Sequence, residues 1–222
     1  MTTDGAQKSS AAPRRPGAPK RKERMKREDI VREATKLFAQ KGYDGASMAD
    51  LAEVVGLRKA SLFHHFPSKD ALYGEVLAAL VAEVGASIAR AQMGEGTFPE
   101  RLDALSETLT DTLGSQPSIA RLLVREALDH GPVMQRSLGP GIQQVLEVAR
   151  AFVEAGQKAG AFDERLEPAQ IVTSLIGVHF MPFAISDIVE RFTGTSPFDA
   201  AGLAARKRAV VAQVRCLILA RP

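Results

Sequence analysis

The 222-residue chain carries four histidines and one cysteine, Cys216, and their spacing limits the chemistry open to it. His64 and His65 are adjacent and cannot share a helix face, while His130 and His179 have no ligand motif nearby. A lone cysteine excludes an intrachain disulfide and a multi-cysteine metal site, and it suits a reducing compartment. No glycine-rich loop of the phosphate-cradling kind is present. Neither a metal site, a cofactor site nor a catalytic constellation follows, so an enzyme is not expected. What remains is non-covalent recognition, and one stretch concentrates it. Around Arg58, the residues Lys59, Ala60, Ser61, Phe63 and His64 crowd one side of a short helical run whose other side is marked by Leu62 and Phe66, four apart. Small residues for close approach, polar groups for base edges and phosphates, and a ring for a thymine methyl are what a helix entering a major groove needs.

The flanking residues predict how that helix is held. Ser47 and Asp50 form a capping-box pair that starts a helix at about Met48, with Leu51, Val54 and Val55 as its apolar face. Gly56 permits the left-handed backbone that ends this helix, and Leu57 follows as an apolar plug. Two helices joined this tightly are a helix-turn-helix signal. Upstream, Ile30, Val31, Ala34, Leu37 and Phe38 mark a helix over Asp29 to Gln40 that ends at Gly42, with Tyr43 a core or rim aromatic. Downstream, Pro67 stops the recognition helix and Ser68 caps a helix from Lys69 to about Gln92, which at ~1.5 Å per residue is long enough to link two domains.

Charge agrees with a polyanion partner. Residues 1–69 hold 15 lysines and arginines against 8 acids, and residues 70–222 hold 14 against 18, so the net charge of +3 conceals a basic first third. The run GLRKASLFHHFPSKDAL resembles the recognition-helix signature of TetR-type transcriptional regulators. With the preceding helix and GYDGASMADLAE, the likeness covers about the first third of the chain. The resemblance implies a dimer on a near-palindromic operator, DNA contacts from Ser47, Met48, Arg58, Lys59, Ala60, Ser61, Phe63, His64, His65 and Lys69, and release by a small effector in an all-helical second domain. Two positions depart from the family pattern. Arg58 stands where a Ser or Thr usually caps the recognition helix, a loss of roughly 1 kcal/mol unless another acceptor substitutes. Phe63 stands where a Tyr is usual, so a methyl contact survives and a hydroxyl bond to phosphate does not.

The expected fold is therefore all-α. It comprises a basic tail over residues 1–24, expected to be disordered and either solvated or an arm on DNA, a three-helix DNA-binding domain over 25–69, and a larger helical effector-binding and dimerisation domain over 70–222. No apolar run of membrane-spanning length and no secretory leader is seen, so a cytoplasmic protein is expected. In the second part, helices are predicted over Phe98–Leu113, Pro117–Asp129 and from Ile142 to Gly156, after a breaker-rich linker at Gly131–Gly141. Glu126 and His130 fall on an apolar stripe, either as a satisfied structural pair or as lining of an effector pocket. A long apolar helix from Glu167 to Phe192 contains Pro182, which should kink it near Gly177 and Val178 and free a carbonyl. Around the kink His179 and Phe183 are either packing or pocket lining, and Phe152 on the preceding helix joins the effector candidates. This helix and the last, Ala200 to Leu219, suit a four-helix dimer interface, which the resemblance also implies. The competing expectation is an architectural DNA-binding protein whose second domain is packed solid and binds no effector.

Overall fold

The structure, a computed structural model, describes residues 25–128 and 139–220. The basic tail, His130 and most of the expected linker lie outside them. The order is α1 (Arg27–Gly45), α2 (Met48–Val54), α3 (Lys59–His65), α4 (Lys69–Met93), α5 (Phe98–Ser115), α6 (Ser118–Leu128), α7 (Gly139–Lys158), α8 (Pro168–Ala184), α9 (Ser186–Thr193) and α10 (Ala200–Ile218). Among the described residues the one β feature is an isolated antiparallel bridge between Phe162 and Leu219. The all-α expectation is met.

Local sequence explains most boundaries. Gly42 breaks α1 internally at φ +73°, and side-chain oxygens of Ser47, Ser68, Thr97, Glu167 and Asp199 accept from backbone amides at the starts of α2, α4, α5, α8 and α10. Pro168 then sits at the first position of α8, where its missing N–H costs nothing.

One continuous core joins the first three helices to the body. Ile30, Ala34 and Phe38 of α1, Leu51 of α2 and Leu62 of α3 pack with Leu72 to Leu80 of α4, Ile119 and Leu122 of α6 and Phe183 of α8. A second core gathers Leu102, Phe152, Phe162, Ile171 and Val214 from α5, α7, the α7–α8 loop, α8 and α10. By length and composition alone α4 could cross a membrane, contrary to the expectation that no segment would, but half of its most apolar window is buried against neighbouring helices, as in a core helix.

The long helix expected from Glu167 to Phe192 is instead two. Pro182 lies inside α8, yet the break comes at Ile185 (φ −106°, ψ 33°), beyond which α9 turns away by 78°. Pro182 has no N–H for the carbonyl of Val178, and Arg206 Nη2 on α10 donates to that oxygen at 2.5 Å. The freed carbonyl is where the sequence implies, and a guanidinium satisfies it. The α9 bend leaves Ile188 and Phe192 facing solvent, Phe192 at 90% exposure.

Candidate nucleic-acid interface and buried cavity

The helix-turn-helix geometry grows from two local devices. Ser47 Oγ accepts from Asp50 N and Ser47 N donates to Asp50 Oδ2, both at 3.1 Å, closing the capping box. The backbone bond from Ser47, then its hydroxyl, hold the Asp50 carboxyl below its ordinary range. Gly56 takes φ +67°, and Leu57 N bonds back to Ala52 O at 2.9 Å. α3 then buries Leu62, and Phe66 just beyond its end, completely and exposes Lys59, Ala60, Ser61, Phe63 and His64, with Arg58 exposed before it. Arg58 makes no side-chain cap bond, and the first turn of α3 has no acid. Lys59 Nζ stands 6.0 Å from the centre of the Phe63 ring, itself 40% exposed. With its side chains an α-helix is about 10–12 Å across, matched to a groove about 12 Å wide.

The C-terminal end of α3 is locked rather than free. Arg27 donates to the carbonyl of His65, bonds Glu75 through Nε at 3.0 Å, and lies 4.1 Å over the Phe66 ring. His65 is half-buried, so the exposed imidazole on the reading face is His64. Two expected contact residues sit elsewhere. Met48 is only 9% exposed and packs into the core beneath α2, which removes it from the DNA-facing surface. Lys69 is half-buried, donating from Nζ to Tyr43 O at 2.8 Å and Ala46 O at 3.0 Å while resting 4.1 Å from the Tyr43 ring centre. Its ammonium thereby holds the α1–α2 junction directly ahead of Ser47. Tyr43 in turn donates to Asp70 and meets Tyr73 at 4.9 Å, and Tyr73 meets Phe38 edge-on at 4.8 Å.

The body contains an apolar cavity of about 220 Å³ between α4, α5, α6, α7 and α8. Phe152 and His179 line it. Glu126 and Phe183 do not: Glu126, 5% exposed, accepts from Tyr73 Oη at 2.7 Å, and Phe183 is buried against Phe198. His179 Nδ1 lies 2.8 Å from Leu175 O, and because a carbonyl only accepts, Nδ1 carries the proton. Burial, reinforced by the charge of Arg206, holds the imidazole pKa below its ordinary value, so the ring is neutral and Nε2 is an acceptor. Ser106, which the sequence reading missed, also lines the cavity, and its signal was a polar residue on the stripe of Leu102, Leu105, Leu109 and Leu113. Arg27 and Arg206 were missed because their partners are remote in sequence.

An exposed cationic helix held by a glycine turn, continuous through α4 with a hollow helical body, defines a helix-turn-helix protein of the two-part, all-helical kind. Residues 30–76 match the bacterial regulatory proteins of the tetR family and residues 99–214 match the tetracyclin repressor-like C-terminal domain; the chain belongs to the TetR family. That family is one of regulators and not of enzymes. The biofilm operon negative transcriptional regulator IcaR of Staphylococcus aureus is 45% identical over 47 residues, 21% of this chain and 25% of that protein. The transcriptional repressor AcnR of Corynebacterium diphtheriae is 36% identical over 101 residues, 42% of this chain and 53% of that protein. The matched stretches thus span a quarter to about half of these curated relatives. Among solved structures, the ketosteroid transcriptional regulator KstR2 of Mycobacterium tuberculosis superposes with a TM-score of 0.70 at 18% identity, covering 88% of this chain and 95% of that one, a likeness of fold.

Proposed function

We propose that the chain is a homodimeric DNA-binding transcriptional regulator, a repressor acting in the cytoplasm on a near-palindromic operator and released from it by a small molecule in the body. The observation that carries this reading is the exposure of Arg58, Lys59, Ala60, Ser61, Phe63 and His64 on a helix whose other side is wholly buried. Residues 25–69 form the reading head and residues 70–222 the ligand-binding and dimerisation part. Lys59 and Arg58 supply phosphate attraction, Ala60 and Ser61 close approach, and Phe63 a methyl contact. Ser47 is exposed at the start of α2 and meets the backbone of DNA there. Lys69 acts by positioning α2.

Dimerisation falls to α8 and α10. Ile176 and Met181 on α8 and Leu217 on α10 are exposed, and a Cβ added at Gly177 would meet nothing within 4 Å, so a partner helix can approach closely there. The 220 Å³ cavity favours the switch over a solid dimerisation module. A ligand shifts the DNA-binding equilibrium only by its differential affinity for the two states, so it must bind the DNA-incompetent arrangement more tightly.

Selection of bound DNA from a random pool tests the reading: two inverted half-sites about one helical turn apart are expected. On the selected operator, Lys59→Ala should weaken binding and flatten the salt dependence by ~0.9 in slope per protomer. Recovery of asymmetric sites, or wild-type affinity in Lys59→Ala, would refute it.

A further inference from the structure

Among the described residues, those lining the cavity include no lysine, arginine, aspartate or glutamate. Within this apolar lining two polar atoms are buried without a hydrogen-bond partner, Ser106 Oγ on α5 and His179 Nε2 on α8. Buried polar atoms are ordinarily paired, and an orphan in a cavity wall marks where an occupant is to be bonded. The side chain of His179 is fixed by its Nδ1 bond to Leu175 O, which leaves Nε2 as a lone pair that can only accept. Ser106 Oγ, by contrast, can donate or accept. One ligand hydroxyl within reach of both atoms would donate its proton to Nε2 and accept from Oγ–H.

Charge narrows the ligand further. A carboxylate in this cavity would be desolvated with no cation among the described lining residues. Arg206, whose charge is felt by His179, gives Nη2 to Val178 O at 2.5 Å and Nη1 to Gln213 Oε1 at 3.3 Å, keeps a buried Nε without a partner, and is not among the described lining residues. A pure hydrocarbon would fit the walls and leave both orphans unpaired. For scale, an apolar cavity of ~150 Å³ holds benzene, and 220 Å³ accommodates one ring with a short substituent or a medium alkyl chain.

We propose that the cavity binds a small, uncharged, mostly apolar molecule bearing one hydroxyl, a phenol or a monohydric alcohol, with His179 Nε2 and Ser106 Oγ as its polar anchors. This rests on the reading of the cavity as the effector site and names the chemical class that fits it.

The test is calorimetric titration of the full-length protein, without DNA, using three probes of matched shape: para-ethylphenol, para-ethyltoluene and para-ethylbenzoate. The phenol should bind about tenfold or more tightly than the toluene, the scale of one buried hydrogen bond gained, and the benzoate should not bind measurably. His179→Leu should reduce the phenol-to-toluene preference to about one while toluene binding persists. Ser106→Ala, a milder change that preserves the core, should reduce the preference in part. Equal binding of phenol and toluene, tightest binding by benzoate, no binding of any probe, or an undiminished preference in both variants would each overturn the assignment. Operator release is measured separately with the same probes. Phenol binding without release would leave the ligand class standing and remove the switch, whereas release by some other compound without phenol binding would do the reverse.

Discussion

Tyr73→Phe is the most direct probe of how the body holds the reading head. The change deletes one oxygen, the hydroxyl that donates to Glu126 Oε2 at 2.7 Å, and leaves the ring in place against Phe38 and Tyr43. Glu126 is 5% exposed, so water does not readily replace the lost donor. Leaving a buried polar atom short of a partner costs about 1–3 kcal/mol. For a chain of this size each kcal/mol lowers the melting midpoint by ~2–4 °C, giving a fall of roughly 2–12 °C. Urea unfolding at fixed protein concentration gives the free energy directly and holds any dimer term constant. Because Glu126 sits on α6 beside cavity-lining Leu123, Val124 and Ala127, Tyr73→Phe should also reduce the ratio of operator affinities measured without and with a saturating ligand. The decisive control is a double-mutant cycle with Glu126→Leu, in which Tyr73→Phe should cost about 1–3 kcal/mol less than in the wild type. Additivity of the two changes to within ~0.5 kcal/mol would refute the bond as a determinant of stability.

Three further outcomes follow from individual contacts. Lys69→Met should lower stability without DNA by about 1 kcal/mol, discounted for its half-exposure, because two backbone carbonyls lose their donor; unchanged stability with weakened operator binding would instead make Lys69 a phosphate ligand. His179 has a folded pKa below its ordinary 6.5, so the unfolded chain takes up a proton before the folded one does. Stability should therefore fall as pH drops below that value and level off beneath the folded pKa, and urea midpoints from pH ~7.5 to ~5 should lose this component in His179→Leu. Arg206→Met should destabilise by about 1–3 kcal/mol by stranding Val178 O, and should cost less in a Pro182→Ala background, where residue 182 regains the N–H that carbonyl lacks; equal costs in both backgrounds would sink that account.

Legibility in the sequence tracks the range of the interactions. The capping box at Ser47, the left-handed Gly56 and the inward pair Leu62 and Phe66 depend on residues within one or two turns, and the structure places them as read. Val54, assigned to the inner face of α2, is exposed, because a helix of only seven residues follows its neighbours more than its own period. The angle that puts Glu126 on an apolar stripe was sound, yet Tyr73, which covers it, comes from 53 residues away. The cap that Lys69 provides likewise depends on carbonyls 26 and 23 residues upstream. Pro182 announced a freed carbonyl at short range. Its guanidinium partner and the displaced break at Ile185 depended on how α10 packs.

The continuity of the core limits how a ligand can act. The cavity reaches the first three helices through two of its walls, α4 and α6, since Val81 and Val84 lie on one and Leu123 and Val124 on the other. α6 is bound to α4 by Glu126 and Tyr73, and it approaches α1 so closely that a Cβ at Gly42 would stand 2.9 Å from Arg125 Nη1. α1 and α4 are in turn tied to the ends of α2 and α3 by Lys69 and Arg27. With close-packed walls, an occupant that spreads α6 from α7 cannot be absorbed by local softening. Under the proposed switch it would move α6 with α1 and the start of α4, and the head would follow as a body. In the proposed dimer, an occupant of the cavity would then set the separation of the two heads with no rearrangement inside the helix-turn-helix.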